Sequence, residues 1–341
     1  MVAVSGLPIL SVEDLHVSFR TPGGILRAVE GISFAVSPGK CLGIVGESGC
    51  GKSVAARSIL RLLPSAVTTG HILYRRADEA SPIDLTQLAT DSKAMRSIRG
   101  KEIAMVFQEP MTALTPVYTV GAQLIEEIRA HARVSAVDAR AQAIALLARV
   151  GIPDSSRRVD DYPHQLSGGM RQRVVIALAL ACQPHVIIAD EPTTALDVTI
   201  QAQILRLLRD VQREMRMALV VITHDLAVIA EMADEVVVMY LGQVVEHAPA
   251  AAFFADPKHP YAQALTRSII TAATEPRTLL PTIPGSVPNP LHAPSGCRFR
   301  TRCAFVHARC LEEPPTIPVG PDHFAKCWLY DEGDPCPPNP S

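Results

Sequence analysis

The sequence predicts an α/β fold built around a parallel sheet, and three observations carry that prediction. Residues 41–45, 103–107, 186–189 and 219–223 are short apolar runs without alternation. That is the pattern of strands covered on both faces. Helical stretches at 52–63, 169–182 and 200–215 alternate with them, the order of strand and crossover helix. A glycine loop at 46–51 joins the first of these strands directly to the first helix.

Taken in order, residues 9–19 (ILSVEDLHVSF) alternate and predict a strand. Thr21-Pro22-Gly23-Gly24 predicts a turn and 26–36 a second strand. Ser37-Pro38-Gly39-Lys40 turns the chain into the strand at 41–45. Residues 72–107 give short strands and a polar insertion, of which 78–93 (DEASPIDLTQLATDSK) is expected as an exposed excursion. Residues 119–150, rich in Ala, Leu and Arg, predict helices. A loop with Tyr162-Pro163 leads into the helix at 169–182. No internal repeat is visible.

The 341 residues allow two domains, or one large domain with an extension. A hydrophobic share of 48% supports a sizeable core and excludes wholesale disorder. A net charge of −2 argues against a chain-wide polybasic surface. The longest apolar run, 174–182, is far short of the roughly 20 residues of a membrane span. The first residues, MVAVSGLPIL, show no basic stretch followed by an apolar core. A soluble, cytosolic chain is therefore expected. Of 28 prolines, 13 lie from Pro281 onward, so a regular body gives way to a loop-rich tail near 255–280.

Gly46-Glu47-Ser48-Gly49-Cys50-Gly51-Lys52-Ser53 fits G-x-x-x-x-G-K-[ST] between a strand and a helix. Glycines let backbone N–H groups turn toward phosphate oxygens, and the helix N-terminus adds partial positive charge. Lys52 suits the β- and γ-phosphates, and the Ser53 hydroxyl suits Mg²⁺. The run at 186–189 ends in Asp190 and Glu191. Such an ending alone also fits a solvated loop. With the phosphate loop upstream, Asp190 is expected to hold Mg²⁺ through water and Glu191 to orient or deprotonate the attacking water.

Leu166-Ser167-Gly168-Gly169-Met170-Arg171-Gln172-Arg173 resembles the signature motif of the ABC-transporter ATPases. The resemblance extends to Gln108 as the Q-loop glutamine and His224 as the switch histidine. It also takes in Ala195-Leu196-Asp197 as the D-loop, and Phe19 as the aromatic that stacks on adenine. It implies a P-loop NTPase of the ABC-ATPase fold: a RecA-like core with an antiparallel β subdomain and an α-helical subdomain at about 110–180, within residues 1–255. Residues 256–341 would be a loop-rich, cysteine-containing extension. By the same resemblance Lys52, Ser53, Gln108, Asp190, Glu191 and His224 act on the chain's own ATP, with Ser53, Gln108 and Asp190 toward Mg²⁺. Ser167, Gly168 and Gly169 act across a dimer on the partner's ATP.

Asp161-Tyr162-Pro163-His164-Gln165, Glu109-Pro110-Met111-Thr112-Ala113-Leu114-Thr115-Pro116 and the tail motifs Ile283-Pro284-Gly285 and Gly296-Cys297-Arg298-Phe299 narrow the resemblance. The chain looks like the ATP-binding subunit of dipeptide, oligopeptide or nickel importers, the first of their two ATPases. That family usually has Ser and Asn where this chain has Ala113 and Thr115, toward the membrane-partner surface. The implied partners are a second homologous ATPase, two transmembrane permease subunits and an extracytoplasmic substrate-binding protein. The implied place is the cytoplasmic face of the inner membrane. The cargo stays open between peptides, nickel and another small solute. The rival class is a soluble ABC ATPase of DNA repair or translation. One phosphate loop, one signature and no long heptad run stand against it, and no nucleic-acid partner is expected. Intact Lys52, Asp190, Glu191 and His224 stand against a catalytically dead binding module.

Five of the eight cysteines crowd into the tail. From spacing alone, Cys297, Cys303, Cys310 and Cys327 fit structural thiols, zinc or an iron–sulfur cluster. The resemblance implies a [4Fe–4S] cluster on these four, with Cys336 left out. Arg298, Arg300 and Arg302 read as a solvated basic face or as an offset to cluster charge. His247, His259 and His307 have no metal-like spacing.

Overall fold

Alternation along residues 9–19 does produce a strand, but its phase slips once. In the computed structural model, which describes residues 7–76, 79, 81–109, 113–194, 196–268 and 282–331, Leu10 and Val12 are buried on one side of the slip and Leu15 and Val17 on the other. The register against the partner strand shifts between Glu13 and His16. Asp14 there takes a φ of 46°. The facing residue is Gly70, where a Cβ would lie 2.2 Å from the Asp14 carbonyl oxygen. A bulge at this point therefore needs glycine opposite it.

In chain order the strands and helices are β1 (Leu10–Thr21), β2 (Gly24–Val36), β3 (Cys41–Val45), α1 (Lys52–Ile59), β4 (Ala66–Tyr74), β5 (Ile83–Asp84), α2 (Lys93–Ile98) and β6 (Ile103–Val106). There follow α3 (Val120–His131), α4 (Ala136–Arg149), α5 (Ser155–Arg158), α6 (Gly168–Leu180), β7 (Val186–Asp190), α7 (Val198–Met215), β8 (Ala218–Thr223) and α8 (Leu226–Met232). The chain continues through β9 (Glu235–Tyr240), β10 (Gln243–Pro249), α9 (Ala250–Ala255), α10 (Pro260–Arg267), β11 (Thr316–Gly320) and β12 (His323–Lys326). The expected helix at 52–63 is shorter than its pattern: Arg61 takes a φ of 53° and Pro64 follows. No described helix is long and apolar enough to cross a membrane.

These elements fall into two compact units. One comprises the described parts of Met1–Ala35, Leu42–Thr86 and Thr223–Ser341; the other those of Val36–Cys41 and Gln87–Ile222. In the first, β2-β1-β4-β5 form a sheet in which β1–β4 and β4–β5 are antiparallel. A second run of strands has the order β11-β12-β10-β9-β3. There β9 pairs parallel with β3 from Leu42↔Glu235 to Val45↔Val238. Helix α8 lies so close to β3 that a Cβ on Gly43 would stand 2.8 Å from Ile229 Cδ1. The 78–93 stretch is less of an excursion than its polarity suggests. Ile83–Asp84 joins the sheet edge, Leu85 is fully buried, and Ser92 caps α2 by accepting the Met95 N–H. Asp78 itself lies outside the described residues.

The second unit holds the parallel strands β6, β7 and β8, paired at Ile103↔Val186 and Val186↔Ala218. Every residue of these three strands is buried, as unbroken apolar runs require. Thr119, Ser135, Ser167 and Asp197 cap α3, α4, α6 and α7 through side-chain oxygens. Helix α6 buries Val174, Val175, Ile176, Ala177, Ala179 and Leu180, so it is apolar almost all round.

The tail residues 282–331 group with the first unit and are tied into it by a buried carboxylate. Glu246 on β10 is 1% exposed. It accepts the backbone N–H of Lys258 at 2.9 Å and of His259 at 2.6 Å, and pairs with His323 Nε2 of β12 at 2.8 Å. One side chain thus fixes β10, the start of α10 and a tail strand.

His259 caps α10: its Nδ1 accepts the Tyr261 N–H at 3.1 Å, and the residue is 1% exposed. Burial pushes its pKa down to about 3 from 6.5. The unfolded chain therefore takes up a proton that the folded chain refuses. Stability from this group is complete above pH 6.5 and is lost as pH falls toward 3. Denaturant titrations should show a loss of about 2 kcal/mol between pH 7 and pH 5 that His259→Asn, which keeps a capping oxygen, removes. An identical acid slope in the two chains would refute this.

Candidate functional site

The loop after β3 turns by way of glycines at left-handed or otherwise glycine-only geometry. Gly46, Gly49 and Gly51 take φ of 155°, 79° and 101°. Two of them are also forced by packing. A Cβ on Gly46 would lie 2.2 Å from the Met239 carbonyl oxygen, and one on Gly51 2.3 Å from that of Ala28. Gly49 faces open space, with nothing within 4 Å. From below, the Gly242 N–H donates to the Cys50 carbonyl at 2.8 Å. The Cys50 thiol is buried, which keeps it protonated against the pull of Lys52.

Lys52 opens α1 and is 5% exposed. Its Nζ donates to the carbonyls of Gly46 at 2.7 Å and Glu47 at 3.0 Å, so the ammonium spans the mouth of the loop. Ser48 and Gly49 are exposed, and Ser53 is partly exposed on the first turn of the helix. Backbone N–H groups, an ammonium and a hydroxyl at a helix N-terminus fit a polyphosphate with a hard divalent cation. Glu47 is different. Its carboxylate points into the tail, with both oxygens on Arg302 at 2.6 and 3.1 Å. Its backbone N–H donates to Tyr261 Oη at 2.8 Å. Sequence reasoning found the loop but not these two partners, which lie 255 and 214 residues away.

In the second unit, β7 ends at Asp190, which is fully buried, and Glu191 follows at a φ of 48°. Glu191 Oε2 accepts from Gln108 Nε2 at 3.0 Å and from Thr194 Oγ1 at 2.7 Å. The glutamine after β6 and the acid after β7 are therefore brought together because their strands are parallel neighbours. Thr194 was not singled out by sequence; its only signal was its place three residues after the acid. Ser167, Gly168 and Gly169 begin α6, with the first two exposed. No atom lies within 4 Å of a Cβ placed on Gly168, whereas one on Gly169 would meet Ile200 Cγ2 at 2.7 Å. Asp197 caps α7 by accepting the Ile200 N–H at 2.9 Å. Ala195, like Pro110, Met111 and Thr112, lies outside the described residues. In the first unit, Phe19 is half-buried near the end of β1, and His224 is exposed just past β8.

The tail corrects two expectations. No [4Fe–4S] cluster is supported: among the described residues no group of three or more His, Cys, Asp or Glu side chains is placed to hold a metal ion. Cys297, Cys303, Cys310 and Cys327 instead line a cavity of about 10 Å³ with Phe299, Phe305 and Trp328, space for about one water. Burial pushes the Cys297 thiol up and the Cys327 thiol up to about 12. None of the seven described cysteines forms a disulfide, and Cys336 lies outside the described residues. Nor do Arg298 and Arg302 belong to a solvated basic face, whereas Arg300 makes an exposed contact with Ser295 Oγ at 3.4 Å. Arg298 is paired with Glu30 and the Leu241 carbonyl, and Arg302 with Glu47.

Residues 29–194 match the family model described as ABC transporter, and residues 245–310 match that of the oligopeptide/dipeptide transporter C-terminal region. The chain is 47% identical over 328 residues to a probable peptide ABC transporter ATP-binding protein of Sinorhizobium fredii, covering 95% of this chain and 96% of the relative. It is 48% identical over 338 residues to a Brucella abortus protein bearing the name of a peptide import ATP-binding protein, covering 96% of this chain and 99% of that one. Among solved structures, a dimeric ATP-binding cassette in a post-hydrolysis state with ADP and Pi matches with a TM-score of 0.61 and 27% identity, over 71% of this chain and 98% of that one.

The loop geometry separates Gly49, at a free position of the motif, from Gly51, which the motif fixes. Gly49→Ala adds a methyl to open space and should cost only the left-handed backbone term, about 1 kcal/mol. Gly51→Ala drives a methyl into a strand carbonyl and should cost at least about 3 kcal/mol. Urea unfolding of the two variants checks this, and equal losses would show that backbone overlap is not what holds Gly51.

Proposed function

This chain belongs to the ATP-binding subunits of the oligopeptide/dipeptide ABC importer family, and from that premise we propose how its residues divide the work of ATP hydrolysis. It is an ATPase that drives peptide uptake through separate membrane permease subunits. The observation that carries the assignment of residues is Lys52. A buried ammonium held across the mouth of a glycine loop, at a helix N-terminus, is built to meet phosphate oxygens.

In this reading the N–H groups of Ser48, Gly49, Cys50 and Gly51 hold the β- and γ-phosphates together with Lys52. Phe19 stacks on the adenine. Ser53, Asp190 and Gln108 are the residues toward Mg²⁺, which supplies charge neutralisation to the phosphoryl group when bound. Glu191 takes the proton of the attacking water. Its bonds from Gln108 and Thr194 hold its carboxylate in one orientation, which supports a base role. His224 acts with Glu191 on the same phosphoryl group. The exposed Ser167 and Gly168, with open space at Gly168, suit contact with the ATP of a partner ATPase together with Gly169, and Asp197 belongs to the same surface. A second homologous ATPase, a pair of permease subunits and an extracytoplasmic binding protein complete the proposed assembly, on the cytoplasmic face of the membrane.

With the partner ATPase present, Glu191→Gln should keep MgATP binding and lose turnover by about a hundredfold or more, because an amide cannot take the proton. Binding and hydrolysis measured on the same preparation check this; near-normal turnover would remove Glu191 from the base role. Ser167→Arg in one subunit of a mixed complex should abolish hydrolysis at the site completed by that serine and spare the other. Loss confined to the phosphate loop of the altered chain itself would contradict action across the interface.

A further inference from the structure

An acidic side chain at the second position of a phosphate-binding loop is an electrostatic conflict. A carboxylate there repels a polyphosphate, and low polarity around the loop strengthens the repulsion. In this chain the conflict is resolved by a residue of the tail. Both Glu47 carboxylate oxygens are bound by Arg302, at 2.6 and 3.1 Å, in the two-pronged geometry that suits guanidinium. Arg302 is 8% exposed, and its remaining donors reach the Pro284 carbonyl at 3.0 Å and Tyr240 Oη at 3.4 Å. Tyr261, fully buried on α10, takes the Glu47 N–H. Phe299 packs against both tyrosines, with ring centroids 5.3 Å from Tyr240 and 5.4 Å from Tyr261, and the two tyrosine rings are 4.7 Å apart. The carboxylate and the N–H of Glu47 are thus both held by the C-terminal part of the chain, while its carbonyl accepts from Lys52.

We propose that Arg302 is a positioning residue for ATP: it neutralises Glu47 and holds it toward the tail, so that the C-terminal extension sets the affinity of the phosphate loop. The proposal rests on the reading of residues 46–53 as the ATP phosphate site. The coupling is a charge effect as well as a packing effect, and the two are separable. Removing Arg302 leaves the carboxylate unpaired beside the nucleotide. Removing both charges restores a neutral loop. Removing only the carboxylate leaves an additional cation near the phosphates.

The test is MgATP binding to the full-length chain, measured with a fluorescent ATP analogue and with unfolding midpoints recorded alongside. Arg302→Met should weaken binding about tenfold, within the ordinary range for coupling between sites. Arg302→Lys should retain most of the affinity, and Glu47→Gln with Arg302→Met should recover most of it. Glu47→Gln alone should bind as tightly as the unaltered chain or more tightly. Unchanged affinity in Arg302→Met overturns the proposal. So does a double variant as weak as Arg302→Met, which would make the bridge a packing contact only. If Arg302→Met does not fold, Glu47→Gln decides, since weaker binding there contradicts the sign of the charge effect. Lys52→Ala run in parallel keeps the premise separate: if it binds MgATP normally, the phosphate-site reading fails, and not the role of Arg302.

Discussion

Close backbone approach at the phosphate loop is the constraint from which the rest of the first unit follows. The loop must pass beneath its own helix with carbonyls of two other strands almost in contact. Met239 of β9 excludes a side chain at Gly46, and Ala28 of β2 excludes one at Gly51 and at Gly242. Gly242 closes the arrangement, donating to Cys50 and accepting from the Glu30 N–H, each at 2.8 Å. Gly46 and Gly51 in the loop and the distant Gly242 thus let β2, the β9–β10 turn and the loop share one small volume. Burial of Lys52 depends on this, because its ammonium is satisfied by carbonyls that the same turn presents.

What was legible in the sequence was what is local. The loop motif, the strand ending in Asp190 and Glu191, and the fully buried strands all announce themselves within a few neighbours. Gln108 and Glu191 meet because two short apolar runs become adjacent parallel strands, and the sequence showed both runs. The bulge at Glu13–His16 was hidden because alternation resumes on the other phase, and only Gly70, nearly 60 residues later, reveals it. The tail misled for a different reason. Cysteine spacing describes which ligands a chain owns, not their protonation or the space between them. Here the four cysteines surround a cavity of water size among aromatic neighbours, and burial raises the Cys297 and Cys327 thiols. Arginines in a row likewise say nothing about partners that lie 255 residues away.

Glu191 shows how a catalytic group can be placed at some backbone cost. A φ of 48° is uncommon for a residue with a side chain, and it occurs where β7 has just ended. The Glu191 N–H still donates to Ile222 at 2.8 Å, so the chain remains tied to β8 while the side chain turns toward Gln108 and Thr194. The fully buried strands beneath supply the rigidity that lets this local strain persist.

The first unit is assembled from three segments, separated by the short stretch Val36–Cys41 and the long stretch Gln87–Ile222 of the other, and its phosphate loop is braced by residues that arrive late in synthesis. Met239, Tyr261 and Arg302 leave the ribosome in that order, all after every residue of the second unit. Until Arg302 has emerged, a nascent chain carries all the motifs of an ATPase while the carboxylate of its phosphate loop has no counter-charge. Contacts spanning more than 200 residues also close slowly, since the intervening chain must be ordered first. Completion of the nucleotide loop is in this sense a checkpoint on full-length translation: a truncated subunit is handicapped in the one ligand whose hydrolysis it would otherwise spend.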